Sequence, residues 1–264
     1  MSPLKQPIGI FDAGLGSYAI VERVHREFPR QDIIYLADRA SFPYGAKTPD
    51  ALFSSVKKAV EHLASQSCAA IIVASNAPSI MVLGAVRHAT TIPVIGIFPP
   101  IREALERSLS RRIAVLGVES MVTSAEMASC VAELRPHDSE VLLVNASPMV
   151  ELVENFLFLN DPARTQRAVD GFMRQLLQAR PDIDVMTLSS THLPWLRPFF
   201  EAAAPTVSFI DPADSVLEAV RAFVSDGDGV VSCITTQTPA LTASGLEQAL
   251  RKLGFQGSVT GVAF

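Results

Sequence analysis

The chain has 264 residues, of which 48% are hydrophobic and 19% charged, a composition typical of a folded globular protein. A net charge of −5 excludes a broadly basic surface for nucleic acid. No apolar run reaches the ~18 residues of a membrane helix, and no signal peptide is recognisable, so we expect a cytoplasmic protein. Cys68, Cys130 and Cys233 are too few and too scattered for a disulfide framework or a zinc site.

Short β-rich runs alternate with longer amphipathic runs along the chain. Strands are predicted over residues 8–13, 32–38, 69–75, 94–97, 112–118, 140–145, 184–190, 206–211, 229–235 and 257–264. Helices are predicted over residues 17–28, 49–66, 162–179, 213–224 and 240–253. Continuous apolar strands separated by helices indicate mainly parallel sheets with helices on both faces. The sequence therefore predicts an α/β fold.

Two similar segments suggest that this fold has two lobes. "VASNAP" and "LSSTHLP" each place a small polar pair at the end of a predicted strand, with a proline shortly after Ser75 or Ser190. Ligands of open α/β sheets bind outside the carboxyl ends of the strands, so two facing lobes would enclose a cleft with both serines on its walls. We expect residues 1–98 plus 211–264 to form the first lobe and residues 99–210 the second.

The first loop, "DAGLGSYA", fits a dinucleotide fingerprint. Gly14, Gly16 and Ala19 have the G-x-G-x-x-G/A spacing between a strand and a helix, and Asp38 ends the next predicted strand. Asp12, however, would place a carboxylate where a pyrophosphate has to bind. A simple glycine turn is therefore the favoured interpretation. The alternative is a nucleotide-dependent enzyme that uses this loop. Titration with NAD or ATP would test it, and we expect no fluorescence quenching or thermal shift.

The two serine segments have a structural interpretation as well as a functional one. Ser75 or Asn76 as a helix N-cap, with a proline in the first turn, is a common helix start, and the segment from Ser190 can be read in the same way. A helix start does not account for His192, because it alone of the five histidines lies at a strand end within a polar cluster. A capping or hydrogen-bonded role for His192 and a catalytic one are equally compatible with the sequence.

Two further groups are candidates with simpler explanations. The turn "SFPYGAKT" could present backbone N–H groups to a ligand carboxylate, although, taken alone, a surface turn is the favoured interpretation. Glu154 lies on a mid-chain helix with several acidic residues, most of which are expected to be solvated.

In their order and spacing, these segments resemble the glutamate racemase family, within the aspartate/glutamate racemase superfamily. The resemblance rests on "IGIFDAGLGS", "DIIYLADRASFPYGAKT", "AAIIVASNAP", "IPVIGI", "LVE" at 152–154, "DVMTLSSTHLP" and "FIDPADS". It covers nearly the whole chain. It implies two pseudo-symmetric α/β lobes with the active site between them, a small amino-acid or carboxylate ligand, no cofactor or metal, and commonly a homodimer.

The resemblance also implies roles for individual residues. In the family, two cysteines flank the substrate's α-carbon, and their positions are Ser75 and Ser190 here. Asp12 matches the acid beside the first cysteine. Glu154, after a one-residue gap, and His192 match the pair that assists the second. The remaining matches fall on substrate-holding positions, namely Ala13, Pro43, Tyr44, Gly45, Asn76, Ala77 and Thr191.

The departures from the family pattern change the expected chemistry. A serine hydroxyl is far less acidic than a thiol of pKa about 8.5, so the two-thiol reaction cannot operate. Ala13, Ala77 and Met121 replace hydroxyl residues of the family, which makes the pocket more apolar and puts glutamate in doubt as the ligand.

Two hypotheses follow from these departures. One is a divergent, cofactor-independent enzyme of isomerase or lyase type. In it, Ser190, His192 and Glu154 could act as nucleophile, base and orienter, or Asp12 or His192 could itself exchange a proton. The other is a catalytically inactive racemase homologue that binds a ligand or regulates. The retained Asp12, Glu154 and His192 favour the enzyme.

Overall fold

The computed structural model describes residues 4–263, which form two compact units. One unit consists of the described residues up to Ile97 together with those from Ala213 onward, and the other is Phe98–Pro212. No helix in this described part of the chain is long and apolar enough to cross a membrane.

Each predicted strand is present in the described part of the chain, although most are one or two residues shorter at their ends. The strands are β1 (Ile8–Asp12), β2 (Ile33–Ala37), β3 (Ala70–Val73), β4 (Val94–Gly96), β5 (Arg112–Gly117), β6 (Glu140–Asn145), β7 (Val185–Leu188), β8 (Ser208–Ile210), β9 (Val231–Thr236) and β10 (Val259–Val262). Residue 264, the end of the last predicted strand, lies outside the described residues.

Helices connect these strands and include the five predicted from the sequence. They are α1 (Tyr18–Glu27), α2 (Pro49–Ser65), α3 (Asn76–Met81), α4 (Leu83–His88), α5 (Ile101–Arg107), α6 (Glu119–Val122), α7 (Ala125–Leu134), α8 (Ser147–Glu154), α9 (Leu157–Asn160), α10 (Pro162–Ala179), α11 (Arg197–Ala203), α12 (Ala213–Val220) and α13 (Ala243–Lys252). Short 3-10 helices cover Arg39–Ser41, Tyr44–Ala46, Leu193–Leu196 and Arg221–Phe223.

The strands form one parallel sheet in each unit. The first unit has six strands in the order β10-β9-β2-β1-β3-β4, and the second has four in the order β6-β5-β7-β8. Every residue of β1 and β2 is buried, because helices cover both faces of the sheet. These strands therefore do not alternate between apolar and polar positions. The parallel sheets with their covering helices confirm the predicted α/β fold.

Helix α2 shows how the sequence produces this packing. Thr48 caps its first turn by accepting a hydrogen bond from the Ala51 amide, and Pro49 occupies the first helical position. Its buried apolar residues recur at helical spacing, for example Leu52, Val56 and Leu63, and lie in the core of the first unit. Burying one such side chain contributes about 1.5–3 kcal/mol.

Parallel pairing decides where polar residues meet. Because all strands of a sheet run in the same direction, their carboxyl ends lie along one edge. The polar residues that follow neighbouring strands are therefore brought together there, whatever their distance in the sequence.

Candidate active site

In the first unit, Asp12 and Ser75 lie at the carboxyl ends of adjacent strands. Asp12 is the last residue of β1, and Ser75 follows β3 by two residues. The register pairs Phe11 with Val73, and the Ala74 amide donates to the Phe11 carbonyl at 2.8 Å. Asp12 is buried. The structure thus places the predicted acid next to the predicted first catalytic position.

Ser75 occupies the N-cap position of α3 with an extended backbone, but its side chain makes no capping bond. Among residues 4–263, the Ser75 hydroxyl has no hydrogen-bond partner. The Ser79 hydroxyl organises this turn instead, since it donates to the Ser75 carbonyl at 2.7 Å and accepts from the Ile97 amide at 3.0 Å. Capping therefore does not explain the Ser75 side chain.

The neighbouring Asn76 carries an unsatisfied acceptor. Its side chain is buried, and its Nδ2 donates to the Ile97 carbonyl at 3.2 Å. Its Oδ1 has no partner in the described part of the chain. A buried acceptor left unsatisfied costs about 1–3 kcal/mol, so a ligand N–H bound there would recover that cost. Ala77, which follows, is also buried and adds no polar group.

The turn formed by Pro43, Tyr44 and Gly45 packs its short 3-10 helix against α3. Tyr44 is buried, and its hydroxyl donates to Asp38 Oδ2 at 2.9 Å. Burial and the negative charges of Asp38 and Asp12 raise the pKa of Tyr44 well above its ordinary value, so the group stays a hydrogen-bond donor at neutral pH. Pro43 and Gly45 are exposed.

Sequence reasoning assigned Asp38 only to the dinucleotide fingerprint and missed its contacts within the unit. Its Oδ1 accepts from the Thr236 hydroxyl at 2.8 Å, while its Oδ2 accepts from Tyr44. Asp38 therefore links the turn at residues 43–45 to the end of β9. The only sequence signal was an acid at a strand end, because Thr236 is nearly 200 residues away.

In the second unit, Ser190, Thr191 and His192 follow β7 and lead into a 3-10 helix. All three are buried. Glu154 ends α8, which packs against the same 3-10 helix. His192 Nε2 lies 2.6 Å from Glu154 Oε1, and Ser190 Oγ lies 3.4 Å from His192 Nδ1.

When Glu154 is ionised and His192 is neutral, these contacts indicate one histidine tautomer. A carboxylate only accepts, so Nε2 carries the proton that it donates to Glu154, and the Nδ1 lone pair faces the Ser190 hydroxyl. The Ser190 hydroxyl then donates to His192, which in turn donates to Glu154. The structure therefore brings together the three residues that the resemblance assigned to this lobe, and their catalytic roles stay predictions.

Met121 adds an apolar side chain beside Gly117, at the carboxyl end of β5. Its side chain is fully buried and packs over Gly117, where an added Cβ would overlap Met121 Cε and lie 3.4 Å from the Ser189 carbonyl. A thioether therefore occupies the space where the resemblance implies a hydroxyl side chain.

The three cysteines do not supply the missing thiolates. Burial raises the pKa of Cys68 and of Cys233 to about 12, and burial together with Glu133 raises the pKa of Cys130. At neutral pH all three thiols are protonated. None of them can therefore act as the thiolate base that the family resemblance implies.

Two α/β units with parallel sheets, each with a serine after a strand, match the architecture that the resemblance to the racemase superfamily implies. The chain belongs to the Asp/Glu/Hydantoin racemase family, which matches residues 16–220. The glutamate racemase of Synechocystis sp. is 30% identical over 220 residues, which cover 83% of this chain and 77% of that one.

Solved structures agree with this assignment. The glutamate racemase isoform RacE1 of Bacillus anthracis superimposes with a TM-score of 0.83 at 27% identity, covering 98% of both chains. The Escherichia coli glutamate racemase, solved with L-glutamate and the activator UDP-MurNAc-ala, gives a TM-score of 0.85 at 23% identity, covering 98% of this chain and 99% of that one. This second likeness concerns the fold. The resemblance inferred from the sequence is confirmed.

Proposed function

We propose that the protein is a cofactor-independent enzyme that exchanges a proton at the α-carbon of a small amino acid or carboxylate. The hydrogen-bonded series Ser190–His192–Glu154, with separations of 3.4 and 2.6 Å, is the observation that carries this proposal. The Escherichia coli protein binds L-glutamate, which has the expected ligand chemistry.

The proposed step moves two protons. Ser190 Oγ accepts the α-proton while its own hydroxyl proton passes to His192 Nδ1, and Glu154 stabilises the resulting imidazolium. The electron pair of the broken C–H bond is delocalised into the ligand carboxylate. The former α-proton then resides on Ser190 Oγ, and it must exchange with solvent before the step reverses for the ligand to be labelled. Reversal of both transfers after that exchange returns a solvent proton to the α-carbon and restores neutral His192.

The proposed chemistry works from one face of the ligand. Ser190 has a base within hydrogen-bonding distance, whereas the Ser75 hydroxyl has no hydrogen-bond partner among residues 4–263. In the two-thiol reaction of the family, one group acts on each face of the α-carbon. We therefore propose exchange on the face served by Ser190, with ordinary glutamate racemisation absent or very weak.

An inactive binding or regulatory protein is the alternative. The unpaired Asn76 Oδ1 favours it, because a buried acceptor can hold a ligand amine without chemistry. The apolar substitutions Ala13, Ala77 and Met121 are compatible with either proposal. On both, we propose a homodimer located in the cytoplasm, and sedimentation analysis would test the dimer.

One experiment separates the two functions. Thermal-shift screening of both enantiomers of the amino acids and of small dicarboxylates identifies ligands by stabilisation. Proton NMR in deuterium oxide then follows the α-proton of each ligand. The enzyme proposal requires loss of that signal for at least one stabilising ligand. Stabilisation with a permanently retained α-proton supports the binding protein, and no stabilisation by any compound contradicts both.

A further inference from the structure

A polar cavity of about 280 Å³ lies in the first unit, at the carboxyl ends of β2, β9 and β10. These strands are neighbours in the sheet; Asp38 follows β2, while Thr236 and Val262 end β9 and β10. The residues predicted for the active site are absent from the described residues that line the cavity. Because the carboxyl edge of a parallel sheet is where ligands bind, this position indicates a second site.

Asp38 is a buried carboxylate without a cationic partner. It is 2% exposed, and among residues 4–263 its carboxylate oxygens accept only from the hydroxyls of Tyr44 and Thr236. No cationic side chain among residues 4–263 forms an ion pair with it. Its neighbour Arg39 instead lies over the Phe42 ring, 5.1 Å from the centroid. Buried charges are ordinarily paired, and two oxygens offer about four acceptor positions, so Asp38 can accept from a bound cation.

Lys58 supplies the opposite charge at the exposed side of the cavity. It projects from α2 one turn after Ser54, which also lines the cavity, and it makes no ion pair within the described residues. The adjacent Lys57 differs, because its Nζ lies 2.7 Å from Glu61. The cavity thus combines a buried anion with an exposed cation.

The remaining lining residues are neutral and mostly polar. Ser41, Ser54 and Gln237 provide hydroxyl and amide groups, and no aromatic ring lines the cavity in the described part of the chain. A nucleobase would therefore find no stacking partner. The volume lies just below the roughly 300–1,000 Å³ typical of pockets for drug-sized ligands, which favours a small polar molecule.

We propose that this cavity binds a small zwitterionic amino acid, with its ammonium group at Asp38 and its carboxylate at Lys58. Ser41, Ser54 and Gln237 contribute neutral hydrogen bonds. This second site goes beyond the proposed function, since it uses none of the residues assigned to proton exchange. It also lies next to the Asp38–Tyr44 hydrogen bond, so a bound ammonium would contact the group that holds Tyr44.

Isothermal titration calorimetry of the full chain tests the proposal with glycine, β-alanine and γ-aminobutyrate, which differ in the spacing of their charges. Propylamine and propionate serve as probes with one charge each. We expect at least one zwitterion to bind more tightly than either single-charge probe. Lys58→Ala should weaken it roughly two- to fivefold, as for an exposed ion pair, and Asp38→Asn by at least about tenfold. The matched variant Lys57→Ala should leave binding unchanged.

Three results would overturn the cavity proposal. The first is that no probe binds, and the second is that Lys58→Ala and Asp38→Asn both keep wild-type affinity. The third is loss of binding in Asn76→Ala, because that would assign the probe to the predicted active site. Circular dichroism checks the fold of Asp38→Asn. If that variant does not fold, the exposed charge reversal Lys58→Glu decides the question, because wild-type affinity there contradicts the carboxylate contact.

Discussion

Ser75 in the first unit and Ser190 in the second both follow a parallel strand, but their hydroxyls have different surroundings. Ser190 Oγ lies 3.4 Å from His192 Nδ1, and Glu154 supports the imidazole from its other side. The Ser75 hydroxyl makes no hydrogen bond within residues 4–263 and lies near the buried Asp12 and Asn76. A repeated sequence pattern has therefore given one serine a hydrogen-bonded histidine and left the other hydroxyl without a partner among residues 4–263.

The largest expected effect of breaking this asymmetry comes from His192→Ala. Removing the base should lower α-proton exchange by roughly 10²- to 10⁴-fold while ligand binding persists. Exchange is measured by proton NMR in deuterium oxide, and binding by thermal shift. His88→Ala is the matched control, because His88 is an exposed histidine in the first unit. Equal exchange in His192→Ala and the wild type would contradict the proposed enzyme.

The two serines themselves provide the next comparison. Ser190→Ala should reduce exchange by at least about tenfold, because it removes the hydroxyl that passes the proton to His192. Ser75→Ala should change exchange less, since no base is hydrogen-bonded to that hydroxyl. The same NMR assay, run on both variants with one ligand, measures the difference. Equal losses in the two variants would show that both faces contribute chemistry.

Each unit also contains a carboxylate that is tied to backbone amides from a distant segment. Asp32 accepts from the amides of Lys5, Val230 and Asp228, and these bonds outweigh the effect of burial and lower its pKa. Asp184 in the second unit likewise accepts from the amides of Leu109 and Ser110, and also from the hydroxyls of Ser108 and Ser110. These bonds lower its pKa despite burial.

Because the pKa values of these two carboxylates are lowered in the folded state, we expect the protein to lose stability at acidic pH. A folded-state pKa below the unfolded value of about 3.9 gives stability that is present above that pH and is lost as pH falls through the folded pKa. Asp32→Asn should lower the free energy of unfolding by about 2–3 kcal/mol at pH 7. Urea unfolding at a series of pH values should then show a weaker loss of stability at acidic pH than in the wild type. Asp184→Asn should cost less, because Asp184 is more exposed. Asp228→Asn, at an exposed carboxylate, should change stability little.

The smallest expected effect concerns helix capping. Ser124 caps α7 in the second unit by accepting from the Met127 amide at 3.1 Å, whereas Ser75 does not cap α3. Ser124→Ala should therefore cost about 1 kcal/mol of unfolding free energy. Ser75→Ala should cost less than about 0.5 kcal/mol. Chemical denaturation measures both, and a larger loss for Ser75→Ala would reveal a structural role for its hydroxyl.

The fold was largely predictable, because it depends on local patterns. Apolar runs identified the strands, and the helical spacing between them identified the covering helices. Strand ends were less predictable. The strand predicted to reach Ser75 ends at Val73, since the chain turns into α3 once Ala74 has made its bond to Phe11. No residue-level pattern distinguishes the last paired residue from the first unpaired one.

The candidate site was predictable in its residues but less so in its contacts. The family resemblance identified Glu154 despite a gap, and the structure places it 2.6 Å from His192. The absence of a capping bond at Ser75, the unpaired Asn76 Oδ1 and the link from Asp38 to Thr236 were all missed. Each depends on where a segment distant in sequence comes to lie.

The sequence by itself determined the α/β class and the family, since these follow from residue types and their order along the chain. Only the tertiary structure decided that Ser190 has a base, that Ser75 lacks a hydrogen bond in the described part of the chain, and that Asp38 borders a polar cavity. The physical reason is parallel pairing, which gathers residues such as Asp38 and Thr236 at one sheet edge although nearly 200 residues separate them.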